Sequence, residues 1–284
     1  WAERQGRRAR YCVLRGRRGR ISFPDRGRDR PIAAAQRSTM DETTQAGIVA
    51  DMPLSELMAE DARVLWDAAR TLSRSPERAP GRVPGRVPGR AGAPVSPRPL
   101  PPLLFFTDPE RTPRPWETAA RLPAGAGVAY RAFGAADAVE TGLRLREATR
   151  AAGVLLLVGL DADLAERVEA DGVHLPERAL ASAGVLSERR PDWLLTGAAH
   201  SEAAVRGARG AHALVLSPVF PAGGASAAKP ALGLERFAAL AALAACPVYA
   251  LGGITARNAE ALAESGACGL AGVEAIQAAF GGAE

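Results

Sequence analysis

Residues 247–276 read PVYALGGITARNAEALAESGACGLAGVEAI. An apolar run, 247–251, stops at two glycines, Gly252 and Gly253. Thr255 follows, then apolar residues at helical spacing: Ala256, Ala259, Ala261 and Leu262. Gly266 ends that segment, and a second small apolar run, 268–272, leads into 273–280. The spacing predicts strand, tight turn, helix, strand, helix. Two glycines at the carboxyl end of a buried strand permit close approach of backbone N–H groups to an anion. An ordinary tight turn between strand and helix is the other reading.

The same alternation continues backwards through the chain. Short apolar runs at 103–107, 127–131, 154–158, 172–175, 193–198 and 213–217 read as six further strands. Helical segments at 137–151, 161–169, 181–190, 201–208 and 234–244 fall between them, with Ser201 as a cap for its helix. Eight continuous apolar strands joined by helices require a parallel sheet buried on both faces. Eight units in about 180 residues predict a compact (β/α)8 TIM barrel. An open doubly wound sheet is the alternative, but no Gly-rich dinucleotide fingerprint follows the first strand.

The N-terminal third is different. Residues 1–98 carry 20 Arg against 11 Asp/Glu, net +9, whereas 99–284 carry 16 Lys/Arg against 20 Asp/Glu, net −4. The overall +5 therefore belongs to the first third. Residues 1–39 hold 12 Arg and 3 acids and cannot bury enough apolar surface to fold. We expect this segment to be disordered and Met40 to be the true start. An RNA-binding or transit role fits less well, because aromatic residues are sparse and no amphipathic face emerges. Residues 40–75 form a helical extension, with an amphipathic helix over 55–72 capped by Ser55. Residues 76–101, with GRVP repeated at 81–84 and 85–88, form a Pro/Gly/Arg-rich linker, and 102–284 form the barrel. Three cysteines without CxxC spacing argue against a disulfide framework and fit a cytoplasmic protein. No run approaches the roughly 20 apolar residues of a membrane span. Neither a membrane nor nucleic acid is an expected partner; a homo-oligomer is compatible with the chain.

Barrel enzymes place their working groups at the carboxyl ends of strands. Those positions here hold Asp108, Arg131, His174, His200, Ser217, Gly252, Gly253, Gly272 and Val273. Arg131 suits a bidentate grip on phosphate, or a salt bridge under the loops. His200 suits acid/base work near neutral pH, or capping of the next helix. His212 begins a strand, at the opposite end, and reads as structural. Lys229, alone among 35 arginines, falls in the long loop after the sixth strand, where it can reach an anion or simply meet solvent.

Several pieces together resemble the thiamine phosphate synthase superfamily, which includes the thiazole tautomerases. They are LFFTD (104–108), ADGVHL (170–175), HS (200–201), SPVFP (217–221), LGLE (232–235) and YALGGITARNA (249–259). The resemblance implies the barrel, a role in thiamine biosynthesis, and a thiazole phosphate lying against the Gly-Gly turn and the last helix. For a synthase it also implies Mg²⁺ holding the departing pyrophosphate. The chain departs from the family where that chemistry sits. Of the family's Gln-x-Arg-x-Lys only Arg131 remains, beside Ala129 and Phe133. The family's Asn-Asp aligns with Gly159 and Leu160, and its next metal acid with Ala179. Asp161 and Glu177 are the acids close enough to substitute. Glu274 introduces a carboxylate at the phosphate site. With both metal acids missing, the reading placed first is tautomerase-like proton transfer by His200 without metal. True synthase activity with Mg²⁺ comes second, and a non-catalytic binder of thiazole or thiamine phosphate third.

Overall fold

The computed structural model describes residues 60–74, 94–224 and 228–281. The remaining residues include the expected disordered segment, the Ser55 cap and most of the expected linker. Those expectations lie outside the described residues.

Eight parallel strands close on themselves in sequence order. They are β1 (Leu103–Phe106), β2 (Gly127–Tyr130), β3 (Leu155–Gly159), β4 (Gly172–Leu175), β5 (Leu194–Ala199), β6 (Ala213–Leu216), β7 (Val248–Leu251) and β8 (Gly269–Gly272). The β1–β8 ladder, with Leu104 opposite Ala271, completes the cylinder. The expected barrel is the observed fold. Side-chain alternation along the strands divides the core in two. Leu104, Phe106, Ala129, Leu157, Leu194, Val215 and Tyr249 fill the interior. Leu103, Phe105, Val128, Leu156, Leu195 and Leu214 face the surrounding helices.

The outer ring contains α1 (Glu60–Arg74), α2 (Pro115–Ala119), α3 (Ala138–Ala152), α4 (Ala162–Arg167), α5 (Ala183–Arg189), α6 (Glu202–Gly207), α7 (Gly233–Leu243) and α8 (Glu274–Phe280). Local chemistry sets several ends. Asp161 accepts the Leu164 N–H and caps α4, Ser201 accepts the Ala204 N–H and caps α6, and Gly153 ends α3 in the left-handed conformation.

Two elements depart from expectation. The segment after β7 is not an α-helix but a single 3-10 turn, Ala259–Leu262. Its two buried residues, Ala259 and Leu262, stand three apart, the spacing a three-fold helix aligns. α2 was not foreseen: Pro115 starts it, and five residues give no readable periodicity. α1 solves a problem that the short 3-10 turn creates. Ala62, Leu65, Ala69 and Leu72 are buried at spacings of three and four. That stripe packs against β8, β1, the 3-10 turn and α8. Acids at its start and Arg74 at its end suit the helix dipole.

Candidate active site

The carboxyl ends of β1 and β2 meet at Asp108 and Arg131. Asp108 folds its own loop: its Oδ1 accepts the N–H groups of Glu110 and Arg111 at 3.2 Å each, and its backbone N–H donates to Thr112 Oγ1 at 2.8 Å. Its Oδ2 accepts Arg111 Nη2 at 2.8 Å and lies 3.6 Å from Arg131 Nη2. The Arg111 hydrogen bond holds the Asp108 carboxyl below its ordinary pKa.

Arg131 follows β2 directly. Its backbone N–H donates to Thr107 Oγ1 at 2.9 Å, and its Nε donates to the Thr107 carbonyl at 2.7 Å. Nη2 is buried with no hydrogen-bond partner. The guanidinium carbon stands 5.6 Å from the Phe106 ring centre and 5.3 Å from that of Phe133. Burial lowers the Arg131 pKa and Asp108 opposes the shift. The two expected roles are therefore compatible: Arg131 faces a carboxylate and still has an unused donor.

His174 lies beneath this pair. Its ring meets Phe106 edge to face at 4.8 Å, and its Nδ1 is 2.9 Å from Thr196 Oγ1. Burial first, then the neighbouring Arg131 and His200, push its pKa down to about 3. It is neutral near pH 7.

His200 is exposed at the end of β5. Its Nδ1 lies 2.9 Å from the Ser217 carbonyl oxygen. A carbonyl only accepts, so Nδ1 carries the proton and a neutral ring leaves its lone pair on Nε2. The helix cap that His200 might have supplied belongs to Ser201. Glu177 accepts the His200 N–H and the Ser201 hydroxyl, which ties the β4 and β5 loops together. Ser217 thus contributes its main-chain oxygen. His212, at the other end, accepts the Leu195 N–H through Nδ1 at 2.8 Å, a structural role.

Gly252 and Gly253 have φ of +100° and +66°. A Cβ on Gly252 would lie 2.7 Å from Pro218 Cα, and one on Gly253 would lie 2.4 Å from the Pro221 oxygen. Val219 and Phe220 donate their N–H groups to the carbonyls of Leu251 and Gly252 at 2.9 and 3.0 Å. The glycines are thus required by the chain's own β6 loop, which sits on the turn. That loop accounts for the close approach without any ligand. The pairing of Leu251 with Ala271 sets Gly272 and Val273 beside this turn. Glu274 is 59% exposed and points to Arg111, with Oε1 3.4 Å from Nη1. Arg111 thus serves Asp108 and Glu274 together. Sequence reading missed it; its position three residues after Asp108 was the available signal. Lys229 is exposed on the β6 loop.

Mg²⁺ needs several converging oxygen ligands. Asp108 is engaged by two arginines and Asp161 by the α4 N-terminus. Glu177 accepts two donors, and Glu274 faces Arg111. Among the described residues no three His, Cys, Asp or Glu groups converge. These residues do not fit a resident Mg²⁺, and the substitutes Asp161 and Glu177 are committed elsewhere.

A cavity of about 480 Å³ lies at the opposite end of the barrel among Arg98, Arg146, Arg190, Asp171 and Asp192. Its charges are cross-paired: Arg98 and Arg146 both meet Asp171, at 3.4 and 2.8 Å, and Arg190 meets Asp192 at 2.9 Å. We read it as an ionic clasp under the strands. The other end, which gathers Arg131, Arg111, His174 and His200, is the candidate site.

Comparison with known proteins places the chain in a family. The family model described as thiamine monophosphate synthase matches residues 106–276. A thiamine-phosphate synthase of Desulfitobacterium hafniense is 36% identical over 139 residues, 48% of this chain and 67% of that protein. A putative thiamine-phosphate synthase 2 of Aquifex aeolicus is 36% identical over 131 residues, 45% of this chain and 69% of that protein. The solved thiamine phosphate pyrophosphorylase of Pyrococcus furiosus superposes with a TM-score of 0.54 at 26% identity, covering 63% of this chain and 91% of that one. A closed barrel with this motif order, matched over most of its length, identifies the chain as a member of the thiamine monophosphate synthase family.

Proposed function

We propose that this barrel is a thiamine-phosphate synthase, joining a pyrimidine methyl diphosphate to a thiazole phosphate. The names of its relatives favour this reading over the tautomerase-like one placed first by sequence. The carbon–oxygen bond to the diphosphate breaks, and its electron pair leaves with pyrophosphate. The thiazole nitrogen lone pair forms the new carbon–nitrogen bond. The difficulty is the charge that gathers on the departing pyrophosphate.

The observation that carries the reading is the guanidinium pair at Asp108. Arg131 Nη2 is buried and makes no hydrogen bond, with the Asp108 carboxylate 3.6 Å away, and Arg111 is held to Glu274 only at 3.4 Å through an exposed carboxylate. An incoming diphosphate displaces Glu274 and takes both arginines. Guanidinium groups match phosphate oxygens bidentately, so charge neutralisation falls to this pair. Arg111 replaces charge that the family's pattern places on residues this chain lacks. The thiazole phosphate fits the β7–β8 end of the mouth. Supplying both substrates should release pyrophosphate in step with thiamine phosphate. No release above background at saturating substrates would overturn the reading.

A second reading, proton transfer on a thiazole phosphate, has its own support in His200. Its Nδ1 is fixed as donor to Ser217, which leaves Nε2 as the base. Under that reading His200→Ala slows thiazole isomerisation about 10²-fold, the usual worth of a general acid/base, while thiazole phosphate binding survives. Under the synthase reading no isomerisation is found.

A further inference from the structure

The rim of the mouth carries a backbone feature at odds with its residue. Ala132–Ala135 is a tight turn closed by the Ala135 N–H to the Ala132 carbonyl at 2.9 Å. Both central residues, Phe133 and Gly134, have positive φ, +48° and +79°. Turns of this kind favour Asn, Asp or Gly, and a bulky residue at positive φ is strained. Phe133 is nevertheless there, and it is 71% exposed. Neither turn chemistry nor burial accounts for it.

The next strand repeats the pattern. Leu160, just past β3, has φ +65° and is 45% exposed. Of the three non-glycine residues with positive φ among those described, two are exposed, large and apolar, at the ends of neighbouring strands. Between them runs Arg131. A Cβ on Gly159 would lie 3.3 Å from Arg131 Cγ, so the arginine stem crosses the end of β3. Its guanidinium then stands by the Phe133 ring. Strain retained at a site marks function more often than accident.

We propose that Phe133, flanked by Leu160, is the stacking platform for the substrate's planar heteroaromatic ring, whose diphosphate rests on Arg131. An open aromatic face beside a guanidinium suits a flat ring joined to an anionic tail. Phe133 then selects the pyrimidine substrate, whereas Arg131 holds its charge. This rests on the synthase reading for the identity of the ring.

The experiment is calorimetric titration of the full chain with pyrimidine methyl diphosphate and, separately, with inorganic pyrophosphate. Phe133→Ala is expected to weaken the pyrimidine compound about tenfold, the scale of one lost aromatic stack, and to leave pyrophosphate affinity unchanged. Phe133→Tyr restores the loss. Phe133→Asn, better suited to the turn, leaves the melting temperature equal or higher yet binds the pyrimidine compound as poorly as Phe133→Ala. Equal pyrimidine affinity in wild type and Phe133→Ala overturns the proposal, as does absence of pyrimidine binding to the wild type. An equal loss for pyrophosphate also overturns it, by reducing Phe133 to a support of the loop. A Phe133-dependent pyrimidine affinity without pyrophosphate release keeps the platform and removes the synthase reading alone.

Discussion

His174 shows how a single environment decides a residue's role. Burial among Phe106, Thr196 and Arg131 depresses its pKa to about 3, against an ordinary value near 6.5. Between those values the unfolded chain takes up a proton that the folded chain refuses. Stability therefore rises with pH through that window and is lost as pH falls, by up to about 1.4 kcal/mol per pH unit. His212, lowered by burial, acts in the same direction. Denaturant unfolding from pH 7 down to pH 4 should show this slope, and His174→Gln should flatten it. A variant as steep as the wild type would contradict the assignment. Arg111 gives a second prediction at this scale. Because Glu274 competes for its Nη1, Glu274→Gln should tighten pyrophosphate binding a few-fold by calorimetry, whereas unchanged or weaker binding would refute the competition. Arg131, His174, His200 and Asp108 were legible as strand-end residues from periodicity alone. Arg111 offered only its position three residues after Asp108, because its second partner, Glu274, lies 163 positions away. The strain at Phe133 was invisible for a similar reason, since no composition reveals a positive φ on a phenylalanine.

The strands were readable because both faces are buried, which makes their apolar runs continuous. Their observed ends differ from the expected ones by a residue or so. The connection after β7 was misread: alanines at three- and four-residue spacing serve a 3-10 turn as well as an α-helix. That turn covers little of the sheet, and α1 takes up the exposed flank. Leu65 and Leu72 are each 2% accessible within that contact. Leu65→Ala should cost about 2–5 kcal/mol, as for other buried leucines. Chemical denaturation would show it, and a change under about 0.5 kcal/mol would mean that α1 is not part of the packed barrel. α1 lies outside the stretch that matches the family model, residues 106–276.

Taken whole, the molecule separates stability from chemistry along the barrel axis. The amino ends of the strands hold cross-paired arginines and acids around Asp171. The carboxyl ends hold Arg131 with a donor unused, Arg111 loosely held on one side, and His200 with a free nitrogen. Under the proposed function those interactions are completed by an anionic substrate. The most direct test is calorimetric titration of pyrophosphate into the wild type and into Arg131→Met. Hydrogen bonds to charged groups are worth about 1.5–3 kcal/mol, so the substitution should weaken binding roughly 10- to 100-fold while the protein stays folded. Equal affinity in the two proteins, or no pyrophosphate binding by the wild type, would contradict an anion seat at the β1–β2 end of the barrel.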